Sequence, residues 1–171
     1  DVTLVSGPVD LDDPAGVRVI RVESARDMLA QVETLLPVDI AIFAAAVADW
    51  RVANAGDQKI KKTSAGMPPL QLVENPDILA SVAALPQPPF CVGFAAESEN
   101  LLDYAEAKRQ RKQVPLLVAN LAQHAMGADD NEIVLLDDHG RHPLPCMAKT
   151  AVAHAIVAHI AVQLAAAAVV K

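Results

Sequence analysis

The run Val38-Asp39-Ile40-Ala41-Ile42-Phe43-Ala44-Ala45-Ala46 decides the fold class. It is nearly continuous apolar, the pattern of a strand buried on both faces, and such strands belong to parallel sheets with helices above and below. Two further runs of the same kind follow, Phe90–Ala95 and Pro115–Ala119. Working toward the N-terminus, Val2–Ser6 and Val17–Val22 are short strand candidates. Ser24 is placed to cap a helix over Ala25–Leu36, with Met28, Val32 and Leu35 along one face. Working toward the C-terminus, Leu70–Val73 reads as a strand and Asn75-Pro76-Asp77 as a helix start with proline in the first turn. Glu99 or Asn100 opens a helix to about Lys112, and Asn131–Leu136 with the turn Asp138-His139-Gly140 reads as a hairpin. This alternation predicts an α/β fold in which helices flank a mainly parallel sheet and ligands bind at the carboxyl ends of the strands.

Composition narrows the function classes. The 171 residues suffice for one domain with a substantial core, and 53% apolar content with 20% charge excludes intrinsic disorder. Two cysteines, Cys91 and Cys146, make no disulfide framework and no zinc-type cluster, as expected in a reducing cytoplasm. A formal charge of −7 argues against a nucleic-acid partner. The segment from Thr150 to Val170 carries no Asp, Glu, Lys or Arg and is long enough to span a bilayer. Val152, Ile156, Ile160 and Leu164 nevertheless form a single stripe, and His154, His159 and Gln163 interrupt it, so the expectation is a helix packed on a sheet and no membrane partner. The chain opens at Asp1 in a strand-like run with no basic, apolar leader, and reads as a piece of a longer cytoplasmic protein.

From Asp49 to Pro69 the strand–helix rhythm stops, and a polar stretch with Gly56 and Gly66 reads as a flap. Eight of the 14 basic residues fall in two windows: Arg51, Lys59, Lys61 and Lys62, then Lys108, Arg109, Arg111 and Lys112. Lys108 and Lys112 share a helix face, where an anion such as a polyphosphate would offset their repulsion. On spacing alone an ordinary solvated basic helix end is the commoner explanation. Asp49, at a strand's carboxyl end, could hold a metal ion, orient a sugar hydroxyl or cap a turn. Gly93-Phe94-Ala95-Ala96-Glu97 ends another strand in small residues, and Phe94 could stack on a base or fill core. His124, His139, His142, His154 and His159 match no metal or nucleophile motif, and His154 and His159 read as surface or packing residues of a helix. There is no nucleophile elbow, dinucleotide fingerprint or phosphate-binding P-loop.

Six segments in order carry a family likeness: Val2-Thr3-Leu4-Val5-Ser6-Gly7-Pro8, Ala45-Ala46-Val47-Ala48-Asp49-Trp50, Lys59-Ile60-Lys61-Lys62, Asn75-Pro76-Asp77-Ile78, Gly93-Phe94-Ala95-Ala96-Glu97 and Ala107-Lys108-Arg109. Together they resemble the bacterial phosphopantothenoylcysteine synthetase domain over essentially the whole chain. The resemblance implies a Rossmann-like three-layer fold with a flap over about residues 50–69. It also implies a ligase that joins 4′-phosphopantothenate to L-cysteine through an acyl-cytidylate made with CTP, releasing pyrophosphate and CMP. By the same resemblance Ala45, Ala46, Asp49, Lys59, Pro76, Asp77, Ile78, Leu79, Phe94, Lys108 and Lys112 are CTP-binding positions, and Lys59 supports the chemistry. Mg²⁺ would accompany CTP through no assigned protein ligand. The family is dimeric, and FMN would belong only to a fused decarboxylase domain.

The likeness also implies one domain over residues 1–171 that lacks the family's first strand and helix, where an Asn-Arg-Ser-Ser-Gly motif normally stands. Two rival readings are a Rossmann-like dinucleotide-binding oxidoreductase domain and a non-catalytic dimerisation domain whose lysines are merely solvated.

Overall fold

The structure, a computed structural model, describes residues 1–56, 69–97, 101–121 and 129–169. They form two compact units, Asp1–Val38 with Ala45–Ser81, and Asp39–Ala44 with Val82–Lys171.

In the first unit, β1 (Thr3–Ser6) pairs in parallel with β2 (Arg18–Arg21), joined by a loop that Arg21 clamps through the Asp13 carboxylate and the Leu11 carbonyl. Helix α1 (Ala25–Leu35) starts at Ser24 as the sequence predicts. The Ser24 hydroxyl oxygen accepts from the Asp27 N–H at 3.2 Å, and the Asp27 carboxylate accepts from the Ser24 N–H at 3.0 Å, a reciprocal capping box. Met28, Val32 and Leu35 are the half-buried face. A short antiparallel ribbon follows, β4 (Trp50–Val52) on β5 (Leu72–Glu74). It roots the segment read as a flap, whose span 57–68 lies outside the described residues. The strand expected at Leu70–Val73 is thus shifted to Leu72–Glu74, because β5 takes its register from Trp50↔Glu74.

The second unit is built on a five-stranded sheet of order β3-β6-β7-β8-β9. Strands β3 (Ile40–Phe43), β6 (Phe90–Glu97) and β7 (Leu116–Leu121) are parallel; β8 (Asp130–Asp137) and β9 (Gly140–Ala148) continue the sheet antiparallel as a hairpin. The architecture is the α/β, Rossmann-like arrangement expected, with a mostly parallel centre. Pro143 and Pro145 sit in β9, which among the described residues has a neighbour on one side only, where a missing backbone donor is tolerated.

Side-chain alternation sorts the core. Val92, Leu116, Val118, Ile133 and Leu135 face α4 (Lys149–Val169), which lays Val152, Ile156 and Ile160 onto them with Leu164 alongside. This is the stripe the sequence predicts. The alternate positions Cys91, Ala95, Leu117, Ala119 and Leu136 are buried on the other side, where α3 (Leu101–Lys112) crosses β6 and β7. Helix α3 ends at Gln113, whose φ of 52° lets the Val114 N–H return to the Arg109 carbonyl.

One expectation is corrected here. The run Val38–Ala46 is a strand only over Ile40–Phe43, and it lies at the edge of the described sheet. Ile40 and Ile42 are 39% and 48% exposed, not buried on both faces. A continuous apolar run reports the absence of polar side chains, while burial depends on which elements cover it.

Candidate functional site

The first cluster of interest lies in the first unit, where two sequence-predicted segments meet. Asn75 joins them. Its N–H donates to the Asp49 carbonyl at 2.7 Å, and its side-chain amide donates to the Ala48 carbonyl at 2.8 Å. Arg51 donates from Nη1 to the Glu74 carbonyl and, at 3.4 Å, to Asn75 Oδ1. The loop carrying Asp49 is therefore fixed against the segment Pro76-Asp77-Ile78-Leu79. Among the described residues no hydrogen bond engages the exposed Asp49 carboxylate.

Helix α2 (Ile78–Ala83) starts two residues after Pro76. Asp77 Oδ1 accepts from the Ala80 N–H at 3.0 Å, so Asp77 is the cap and not part of the helix. Ile78 and Leu79 are each 6% exposed, which leaves their backbone as what this segment can offer a ligand. Ala45 and Ala46 are exposed, and the Ala45 carbonyl accepts from Val47. They can present backbone groups.

The second unit holds the remaining candidates. The Phe94 side chain packs against the Val92–Leu116–Ile156 core, so of its two readings the aromatic ring fills core. Buried Gly93 and Ala95 flank it. Lys108 and Lys112 are half-buried on α3, one turn apart. Arg109 between them has a different task. Its Nε donates to Glu106 Oε2 at 3.1 Å and its Nη1 to Asp138 at 2.8 Å, with the side chain only 11% exposed. The Arg109 hydrogen bond holds the Glu106 carboxyl below its ordinary range against the opposing effect of burial. A shallow open cleft at the amino end of β7, lined by Arg109, Gln110, Gln113, Val114 and Asp138, adjoins this ion pair. Lys59 lies outside the described residues.

A second polar cluster escaped the sequence reading. Asp137, 2% exposed at its side chain, ends β8 and accepts through Oδ1 from the His139 and Gly140 N–H groups at 2.7 and 3.1 Å. This closes the β8–β9 turn, where Gly140 takes a φ of +126° that a side chain would strain. His142 Nε2 of β9 lies 3.0 Å from the same oxygen, and His159 Nε2 of α4 lies 2.7 Å from Oδ2, beside the Gln163 amide. His159 is thus not a plain packing residue. Burial opposes ionisation of Asp137 more than any other single influence. The bonds from His142, His159 and the His139 N–H together outweigh it and hold the carboxyl at about 2. Three elements supply the cluster, so no local motif announces it; the i, i+4 pair His159/Gln163 is the one spacing that hints at it.

Comparison with known proteins adds a family. Residues 1–164 match the family model described as DNA/pantothenate metabolism flavoprotein C-terminal domain. The coenzyme A biosynthesis bifunctional protein CoaBC of Vibrio cholerae is 42% identical over 163 residues, which cover 92% of this chain and 41% of that protein. The chain thus spans about two fifths of such relatives. The crystal structure of the C-terminal domain of a CoaBC superposes with a TM-score of 0.77 at 32% identity, covering 95% of this chain and 74% of that one. A Cab2 variant in complex with phosphopantothenate-cysteine shares the fold at a TM-score of 0.58 and 18% identity, covering 77% of this chain and 46% of that one.

Proposed function

The chain belongs to the family of the DNA/pantothenate metabolism flavoprotein C-terminal domain, and on that premise we propose that it performs the ligase step of coenzyme A biosynthesis. In this reading the carboxylate of 4′-phosphopantothenate attacks the α-phosphorus of CTP and expels pyrophosphate. The amine of L-cysteine then attacks the acyl carbon of the acyl-cytidylate, and CMP leaves. The observation that carries the reading is the Asn75 link, which sets the loop of Ala45, Ala46 and Asp49 against Pro76–Leu79. Two nucleotide-binding segments implied by the family resemblance are thereby one local construction.

The chemistry assigns the residues as follows. Attack on phosphorus builds negative charge on the phosphate oxygens, and cations placed beforehand stabilise it. Lys108 and Lys112, one turn apart on α3, supply two of them; Lys59 of the flap supplies a third and serves the acyl transfer. Ala45 and Ala46 read the nucleotide through backbone groups, as does the Phe94 segment, whose ring is occupied in the core. Mg²⁺ bound with the triphosphate supplies further charge neutralisation, and the exposed Asp49 carboxylate is the group suited to hold it. The working form is a cytoplasmic homodimer; FMN would belong only to a decarboxylase domain, where one is fused to this chain.

The test uses the full-length protein containing this chain, with 4′-phosphopantothenate, CTP, Mg²⁺ and cysteine. Pyrophosphate and CMP are expected in equal amounts, with pyrophosphate release requiring phosphopantothenate. Absence of pyrophosphate overturns the ligase reading.

A further inference from the structure

We propose that Asp137, His142, His159 and Gln163 form a binding site for one divalent transition-metal ion of the zinc class, which staples the β8–β9 hairpin to α4. The three imidazole and carboxylate ligands converge from β8, β9 and α4, and their donor atoms lie within 4.8 Å of one another. Neutral imidazole and carboxylate are the donor types that zinc and its neighbours take. In a tetrahedral zinc site, bond lengths near 2.0 Å put neighbouring ligand atoms ~3.3 Å apart. His142 Nε2 lies 3.0 Å from Asp137 Oδ1 and His159 Nε2 2.7 Å from Oδ2, so each imidazole is already within a few tenths of an ångström of that spacing from one carboxylate oxygen, and the remaining donor pairs, within 4.8 Å, close onto the ion.

The hydrogen-bond arithmetic without a cation favours one. His159 Nε2 lies close to Asp137 Oδ2 and also 3.0 Å from the Gln163 amide nitrogen, which itself reaches Oδ2. If His159 Nε2 carries the proton, it serves the carboxylate but meets a second donor in the Gln163 amide. If it does not, its lone pair accepts from Gln163 but faces the carboxylate lone pairs. Turning the amide over moves the conflict to its oxygen against Oδ2. With Asp137 ionised, the best arrangement crowds His159 Nε2–H and the Gln163 amide side by side, 3.0 Å apart, on the single oxygen Oδ2. A cation accepts the imidazole, carboxylate and amide-oxygen lone pairs together and removes the conflict. The second shell is in place as well: the His139 and Gly140 N–H groups orient the Asp137 carboxylate. His142 and His159 are partly exposed, at 38% and 21% of their side chains, so an ion enters from solvent without unfolding.

The test titrates chelator-treated full-length protein with Zn²⁺ by calorimetry, and with Co²⁺ by visible absorption. The parent is expected to bind one ion per chain at this site and to melt at a higher temperature with Zn²⁺ than without. His142→Gln and His159→Gln keep a donor for Asp137 while removing the imidazole; each should weaken binding at least ~10-fold, and the double variant ~100-fold or more. His154→Ala, an exposed histidine of the same helix, should bind as the parent does. The melting temperature in chelator shows that the variants are folded. If the folded double variant retains parental affinity, or the parent binds no ion at micromolar concentration, the site is overturned.

Discussion

The Asn75 side chain donates to the Ala48 carbonyl at 2.8 Å while its backbone N–H donates to the Asp49 carbonyl at 2.7 Å, so one residue holds the Asp49 loop from two directions. Asn75→Ala removes the first bond and keeps the second. A net loss of about 1 kcal/mol corresponds to roughly fivefold in an equilibrium. KM for CTP should rise about fivefold, while KM for cysteine stays within about twofold, because the loop presents the nucleotide contacts. Initial rates of pyrophosphate release against CTP concentration check this. Unchanged KM for CTP would detach Asn75 from the site.

Arg109 sits among the basic residues 108–112 yet spends its charge on Glu106 and Asp138. Arg109→Ala should lower stability by about 1–3 kcal/mol in urea unfolding, since it leaves a half-buried Glu106 with the Gln110 amide but no cation, whereas exposed Arg111→Ala should stay within about 0.5 kcal/mol. The pH dependence has a definite sign. The folded Glu106 carboxyl titrates below its ordinary value of 4.5, so its contribution is complete above that value and is lost as the pH falls through the lower folded one. The stability gap between parent and Arg109→Ala should therefore be widest near neutrality and narrow below about pH 4.5. A gap independent of pH would mean that lost packing, not the ion pair, accounts for it.

Lys108→Ala gives the complementary result. The side chain is half-buried on α3, so truncation should cost under about 1 kcal/mol of stability while weakening CTP roughly tenfold or more. CMP, which lacks the β- and γ-phosphates, should lose much less. Equal losses for CTP and CMP would place Lys108 away from the triphosphate. Lys59→Gln is expected to lower kcat far more than it raises KM for CTP, and parental kcat would remove Lys59 from the mechanism.

What the sequence revealed, and what it hid, follows from how local each signal is. Val152, Ile156, Ile160 and Leu164 recur every four residues, and all four pack on the sheet because a helix repeats its own geometry. Ser24 and Asp27 are three residues apart and cap α1 for the same reason. Strand β4 went unread because Trp50–Val52 becomes a strand only through pairing with Leu72–Glu74. The Asp137–His142–His159 cluster is less local still, since the hairpin register and the docking of α4 must both be known before His159 can be placed on Asp137. The Phe94 ring was legible only as a choice between core and ligand, and the sheet's alternation puts it in the core.

The two cysteines give a test of the sheet that does not depend on activity. Cys91 lies in β6 opposite Ala41 of β3, 1% exposed, and burial pushes its thiol up to about 11. Cys146 is exposed on β9. Only the thiolate attacks a disulfide reagent, and at pH 8 a thiol with that pKa is about one part in a thousand thiolate before access is considered. Of these two thiols, Ellman's reagent at pH 8 should therefore modify Cys146 within minutes and leave Cys91 untouched in the native protein. Raising the pH to 9 multiplies the Cys91 thiolate about tenfold, yet its reaction should still wait on opening of the sheet. Urea above the unfolding midpoint should release Cys91 in step with the loss of secondary structure. Replacing Cys146 by serine isolates the slow thiol for this measurement. Rapid native modification of Cys91 in that variant would show that the elements around it, α3 over its face and the edge strand β3 beside it, open far more often than the rest of the sheet unfolds.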